Sequence, residues 1–172
     1  MSNASSISAA LAAILASGSG TVLAATIERT DYQSAAGMCQ GALPAFAGTL
    51  RFKPLGIVNE GSQTAFVSCA VQGDNLAARG ATAIYVRVSN GNATDSIVTC
   101  TLVNGFGNSN SFTPIYVSKT AQMTANAGRG LSWEPADLGN GSTTIQFPQF
   151  SCSLPPGTAI HYISRTYNEE VI

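Results

Sequence analysis

Charge is what this chain has least of. Of its 172 residues only 10% are Asp, Glu, Lys or Arg, and eight basic against nine acidic residues leave a net charge of −1. Globular chains carry about 25%. Such a balance gives no electrostatic pull toward nucleic acid or an anionic membrane surface, so neither is expected as a partner. There is a single histidine, His161, and no C-x-x-C pair. A metal site would need an unusual ligand set, and no metal or cofactor is expected. No G-x-S-x-G elbow is present. Gly105-x-Gly107 has no helix behind it, so it reads as a turn and not as a phosphate cradle. Beyond the amino-terminal segment no stretch keeps a helical period, and no apolar run is long enough to span a bilayer.

What replaces charge is Ser, Thr, Asn, Gln and Gly, a neutral polar surface around an ordinary 45% hydrophobic content. The four cysteines, Cys39, Cys69, Cys100 and Cys152, suggest two disulfides and an oxidising compartment. Four cysteines allow three connectivities. We favour Cys100–Cys152, joining strands far apart in the chain, and Cys39–Cys69, pinning the amino-terminal region to the core. Each bridge stabilises by roughly 2–4 kcal/mol, mostly through the unfolded state.

Residues 1–25 read as a signal peptide. Ile7 to Ala16 is a short apolar run, small residues follow, and Val22-Leu23-Ala24 fits cleavage after Ala24 or Ala25. One feature departs from the usual pattern: no Lys or Arg precedes Arg29. The expectation is an exported protein, periplasmic or extracellular, whose residues 26–172 form a single domain.

That domain reads as strands. Thr49–Lys53 alternates, with Leu50 and Phe52 on one face. Thr64–Val71, Thr82–Val88 and Ser96–Val103 alternate likewise, placing Val67 and Cys69, Ile84 to Val88, and Val98 to Leu102 inward. Asn90-Gly91 predicts a hairpin joining the last two. Phe112–Ser118, Thr143–Leu154 and Ala159–Tyr167 complete about seven or eight strands. Cys39 falls on a loop or short edge strand, and Met123–Gly141 reads as glycine-rich loops around Leu131 and Trp133. The expected class is an all-β antiparallel sandwich, with the jelly roll one form that fits.

The arrangement Val98-x-Cys100-x-Leu102 with Phe150-x-Cys152-x-Leu154-Pro-Pro-Gly157 resembles small exported proteins of unknown function from Proteobacteria. The resemblance implies a single disulfide-bonded β-sandwich behind a signal peptide. It implies no activity and no transferable site residue.

For function the sequence offers no assigned catalytic residue. His161, with a serine and with Asp74, Asp95 or Asp137, is the candidate for a small secreted hydrolase. A binding or structural module is favoured instead. Its partner would be an extracellular protein or glycan, met by exposed aromatics: Trp133 in its glycine-flanked loop first, and Tyr85 second. A self-assembling surface or coat subunit is the third reading, through an exposed edge strand.

Overall fold

The computed structural model describes residues 25–72, 80–105 and 113–171. The signal-like segment before Ala25, Asp74, and Gly107 of the Gly105-x-Gly107 turn lie outside the described residues. Within them the chain forms β1 (Ala25–Ser34), a single helical turn α1 (Ala35–Met38), β2 (Cys39–Gly41), β3 (Leu50–Lys53), β4 (Gly56–Asn59), β5 (Ala65–Ala70) and β6 (Ala83–Asn90). There follow β7 (Ser96–Asn104), β8 (Ile115–Met123), β9 (Gly128–Trp133), β10 (Pro148–Leu154) and β11 (Thr158–Val171).

Every pairing is antiparallel, and the strands make two sheets packed as a sandwich. Sheet A runs β3-β4-β11-β6-β9, with β1 also on β11; sheet B runs β2-β5-β10-β7-β8. The alternation read from the sequence is what packs them. Ile84, Val86 and Val88 of β6 are fully buried, as are Val98, Cys100 and Leu102 of β7. Each such side chain contributes roughly 1.5–3 kcal/mol on burial.

Both disulfides form with the favoured pairing, Cys39–Cys69 and Cys100–Cys152. Cys100 and Cys152 join strands far apart in the chain, as expected, that are neighbours in the fold. Cys39 faces Cys69 across β2–β5, and Cys100 faces Cys152 across β7–β10, so each joins direct neighbours within sheet B. Cα separations of 3.9 and 4.0 Å match the close, non-hydrogen-bonded pair positions of an antiparallel ladder.

The Asn90-Gly91 hairpin does not form. β6 lies in sheet A and β7 in sheet B, so the turn crosses the sandwich. A tight hairpin of the primed type needs positive φ at both central residues, and neither Asn90 nor Gly91 has it. Asn90 is instead buried, and its side chain ties the crossing. Nδ2 donates to Thr94 O (2.7 Å) and to Thr124 O beyond β8 (3.0 Å), while Oδ1 accepts from Asn92 N–H (3.0 Å). Asn59, at the β4–β5 crossing, repeats this pattern. Its Nδ2 donates to Gln63 O and Leu154 O, both 2.7 Å, and its Oδ1 accepts from Gly61 N–H at 3.0 Å. One buried asparagine thus knots each of these two crossings to the opposite sheet.

Two further regions are strands. Residues Ala25–Ser34 pair along ten residues of β11, and Gly56–Asn59 pairs with β3 and β11. Gly56 has φ 144°, and a side chain there would run into the Ile160 carbonyl, so only glycine lets β4 approach β11.

Candidate functional site

The outer face of sheet A gathers the residues that stand out. It starts from an irregularity in β11. The register against β6 shifts between Ile160 and Tyr162, while Ile160 and Ile163 both stay buried. Two consecutive side chains, His161 and Tyr162, are thereby left on the outer side, as a bulge allows.

Tyr162 then meets two other tyrosines. The Tyr85 ring on β6 lies 5.9 Å from it, nearly parallel at 29°, and the Tyr32 ring on β1 lies 5.6 Å away, edge-on at 64°. Tyr32 and Tyr85 are the register partners of Ser164 on either side. The three rings cover that serine, which is only 8% exposed although it faces outward. Tyr85 lies low because its neighbour on β9 is Gly130: a side chain there would overlap the ring. Arg87, opposite Tyr162, borders the cluster. Tyr32 is 71% exposed. Burial, and next the Tyr85 phenol, raise the Tyr162 pKa above the ordinary phenol value, so its proton is held through neutral pH.

His161 is braced on both ring nitrogens. Nδ1 lies 2.8 Å from Leu55 O, and Nε2 lies 2.7 Å from Ser89 Oγ. A carbonyl can only accept, so Nδ1 carries a proton, and in the neutral imidazole Nε2 accepts from the Ser89 hydroxyl. That is the hydrogen-bond direction of a serine–histidine pair, with a backbone carbonyl where a triad has a carboxylate. Of the acids considered for it, Asp137 is engaged elsewhere, with Lys119 Nζ at 2.8 Å.

No family model and no curated protein matches the chain. Among solved structures it is similar to the carbohydrate-binding module TmCBM61 in complex with β-1,4-galactotriose, at 5% identity and a TM-score of 0.31, over 83% of this chain and 88% of that one. Likeness at that level carries no information on ligand or mechanism.

The binding candidates read from the sequence part company. Tyr85 stands on the outer face, inside the tyrosine cluster. Trp133 does not lie in a loop and is not exposed. It ends β9, opposite Ile84, and is 0% exposed. Its Nε1–H donates to Val117 O (3.0 Å) on edge strand β8, and its ring packs 5.0 Å from Phe150. The glycines before it misled because their missing side chains make room for neighbours: Gly128 lies under Arg87 and Gly130 under Tyr85. Tyr162 counts among the aromatics the sequence offers for a platform, whereas Tyr32 escaped notice. No spacing in sequence brings β1 beside the end of the chain. Among the described residues no cluster of His, Cys, Asp and Glu could hold a metal ion.

Proposed function

We propose that the protein works outside the cytoplasm as a non-catalytic binding module, with the tyrosine face of sheet A as its contact surface for an extracellular protein or glycan. The observation that carries the reading is the packed trio Tyr32–Tyr162–Tyr85 on an open sheet face. Tyrosines with an arginine beside them supply large amphipathic contact area at low entropic cost, the composition of binding hot spots. Two disulfides support an oxidising compartment, since such bridges persist where thiols are not kept reduced.

Two measurements test it. Intact mass of the native protein, before and after reduction and alkylation, should start near Thr26 with no reactive thiol. Retention on envelope material of the producing cells should fall sharply in Tyr32→Ala/Tyr162→Ala. A full-length mass with free thiols would remove the export argument, and equal retention of wild type and variant would remove the tyrosine face.

A second reading, hydrolysis at Ser89, is favoured by the 2.7 Å contact to His161. A fluorophosphonate probe that labels Ser89 in the wild type but not in His161→Ala would support it. An unlabelled wild type leaves the pair as a brace between β6, the bulge and Leu55.

A further inference from the structure

The opposite face of the molecule carries a second, independent feature. The five strands of sheet B contain one charged residue, Lys119, and it is turned to the seam with β9, where Nζ donates to Ser132 O (2.7 Å) and Asp137. The outer face of sheet B is therefore free of formal charge among the described residues. Most of its hydroxyls satisfy one another or the backbone: Thr101 with Ser118 (2.8 Å), Thr99 with Thr120 (3.3 Å), and Ser153 with Thr99 (3.3 Å).

Next to them lies a shallow depression of about 450 Å³, rimmed by Gln40, Ser68, Gln149 and Ser151, with Met38 and Val103 as its apolar lining. Gln40 faces Ser68, Ser68 faces Ser151, and Gln149 is two residues from Ser151 on the same side of β10, so the four polar groups share one patch. Among the described residues these four side chains make no hydrogen bond within the protein. Tyr116, 67% exposed, extends the row Ala70–Gln149–Val103 onto the edge strand β8.

We infer that this depression binds an uncharged glycan. Two carboxamides and two hydroxyls each offer both donor and acceptor, and so do sugar hydroxyls. Met38, Val103 and the Tyr116 ring offer apolar contact to the C–H faces of sugar rings. Among the described residues no charged side chain lines the depression to favour an anionic polymer or a charged peptide, and desolvating neutral amides costs far less than desolvating ions. The volume lies in the range of small-ligand sites, about 300–1,000 Å³, rather than being the flat area of roughly 800 Å² per partner that a stable protein contact buries. The site shares no residue with the tyrosine face.

The test is native affinity electrophoresis of the full chain through gels containing a soluble neutral polysaccharide (β-glucan, galactomannan, xyloglucan or galactan) or an anionic one (alginate, polygalacturonate). At least one neutral polymer should retard the protein and the anionic ones should not. Gln40→Ala and Gln149→Ala, both at exposed positions, should each weaken retardation about fivefold or more, as loss of one hydrogen bond implies. Thr120→Ala, whose hydroxyl bonds Thr99 outside the depression, should migrate like wild type. Unchanged thermal midpoints in all three variants exclude unfolding. No retardation by any neutral polymer, or preference for the anionic ones, overturns the inference. Retardation that survives Gln40→Ala/Gln149→Ala but falls in Tyr32→Ala/Tyr162→Ala also overturns it, and moves the glycan to the tyrosine face.

Discussion

The two sheets of this sandwich are held by different physics. Sheet B carries both disulfides, and its one charge is tucked into the seam. Sheet A has no cysteine and carries the ion pairs Arg29–Glu169, Arg51–Glu60, Lys53–Glu60 and Arg165–Asp31. Three of those pairs are well exposed, contribute little and are screened by salt. Arg165 differs: it is 4% exposed, bound to Asp31 at 2.9 Å and stacked under Tyr167. Sheet B is thus fastened covalently and left electrically bland, while sheet A is edged with charge and bears the aromatic face. The lesson is that covalent fasteners and ion pairs are separated by sheet, and each kind can be removed without the other.

The comparison breaks most completely under reduction. The Cys39–Cys69 and Cys100–Cys152 loops enclose separations of 30 and 52 residues. Chain entropy assigns them about 4 kcal/mol each, the longer loop about 0.5 kcal/mol more. Replacing all four cysteines by alanine should remove about 8 kcal/mol, comparable to the whole stability of many domains. Denaturant melts with and without reductant will show it. Hydrogen exchange should rise first in β2, β5, β7 and β10; exchange beginning in sheet A instead would refute the division drawn above.

Trp133→Ala attacks the seam where the sheets meet. It should cost about 3–5 kcal/mol from the cavity and the orphaned Val117 carbonyl. Trp133→Phe should cost less, because most of the packing remains. The Trp133 fluorescence should be that of a buried indole and should not respond to ligand, in contrast to an exposed binding tryptophan.

Asn90→Ala removes three hydrogen bonds at a crossing and should cost about 2–3 kcal/mol. Asn59→Ala should do the same at the other crossing. A much smaller loss at either position would show that the crossing is set by its loop and not by the asparagine.

The smallest effect is a pH dependence. The hydrogen bond from Lys119, and next that from Glu134 N–H, hold the Asp137 carboxyl below its ordinary range. A lowered folded-state pKa means stability that is present above the unfolded carboxyl value and is lost as pH falls through the folded one. Glu60, held down first by Lys53, acts in the same direction. Thermal melts between pH 6 and pH 3 should fall more steeply for wild type than for Asp137→Asn, by about 1 kcal/mol or less. Identical slopes would show that Lys119 and Asp137 do not act as a pair.

How much of this was legible along the chain varies with the kind of signal. Strands with strict alternation, such as β6 and β7, were readable because side-chain period is a local property. β9 was not, because its glycines answer to Tyr85 and Arg87 on a neighbouring strand. β1 was not, because Ile27 and Tyr32 are exposed and its polar residues show no buried face. The Asn90-Gly91 signal was real but local, and the Thr124 carbonyl just past the end of β8 decided its use.

By itself the sequence determined an all-β class, the burial of Cys69, Cys100 and Cys152 on strand faces and the neutral character of the surface. These follow from period two and from composition, which need no partner to be read. Tertiary structure alone decided which strands are neighbours. It put both disulfides within one sheet, closed the core with Trp133, brought Tyr32 of the first strand to Tyr162 of the last, and left the outer face of sheet B without charge among the described residues. The reason is that register and sheet order arise from contacts between residues far apart in the chain, and no local spacing encodes those contacts.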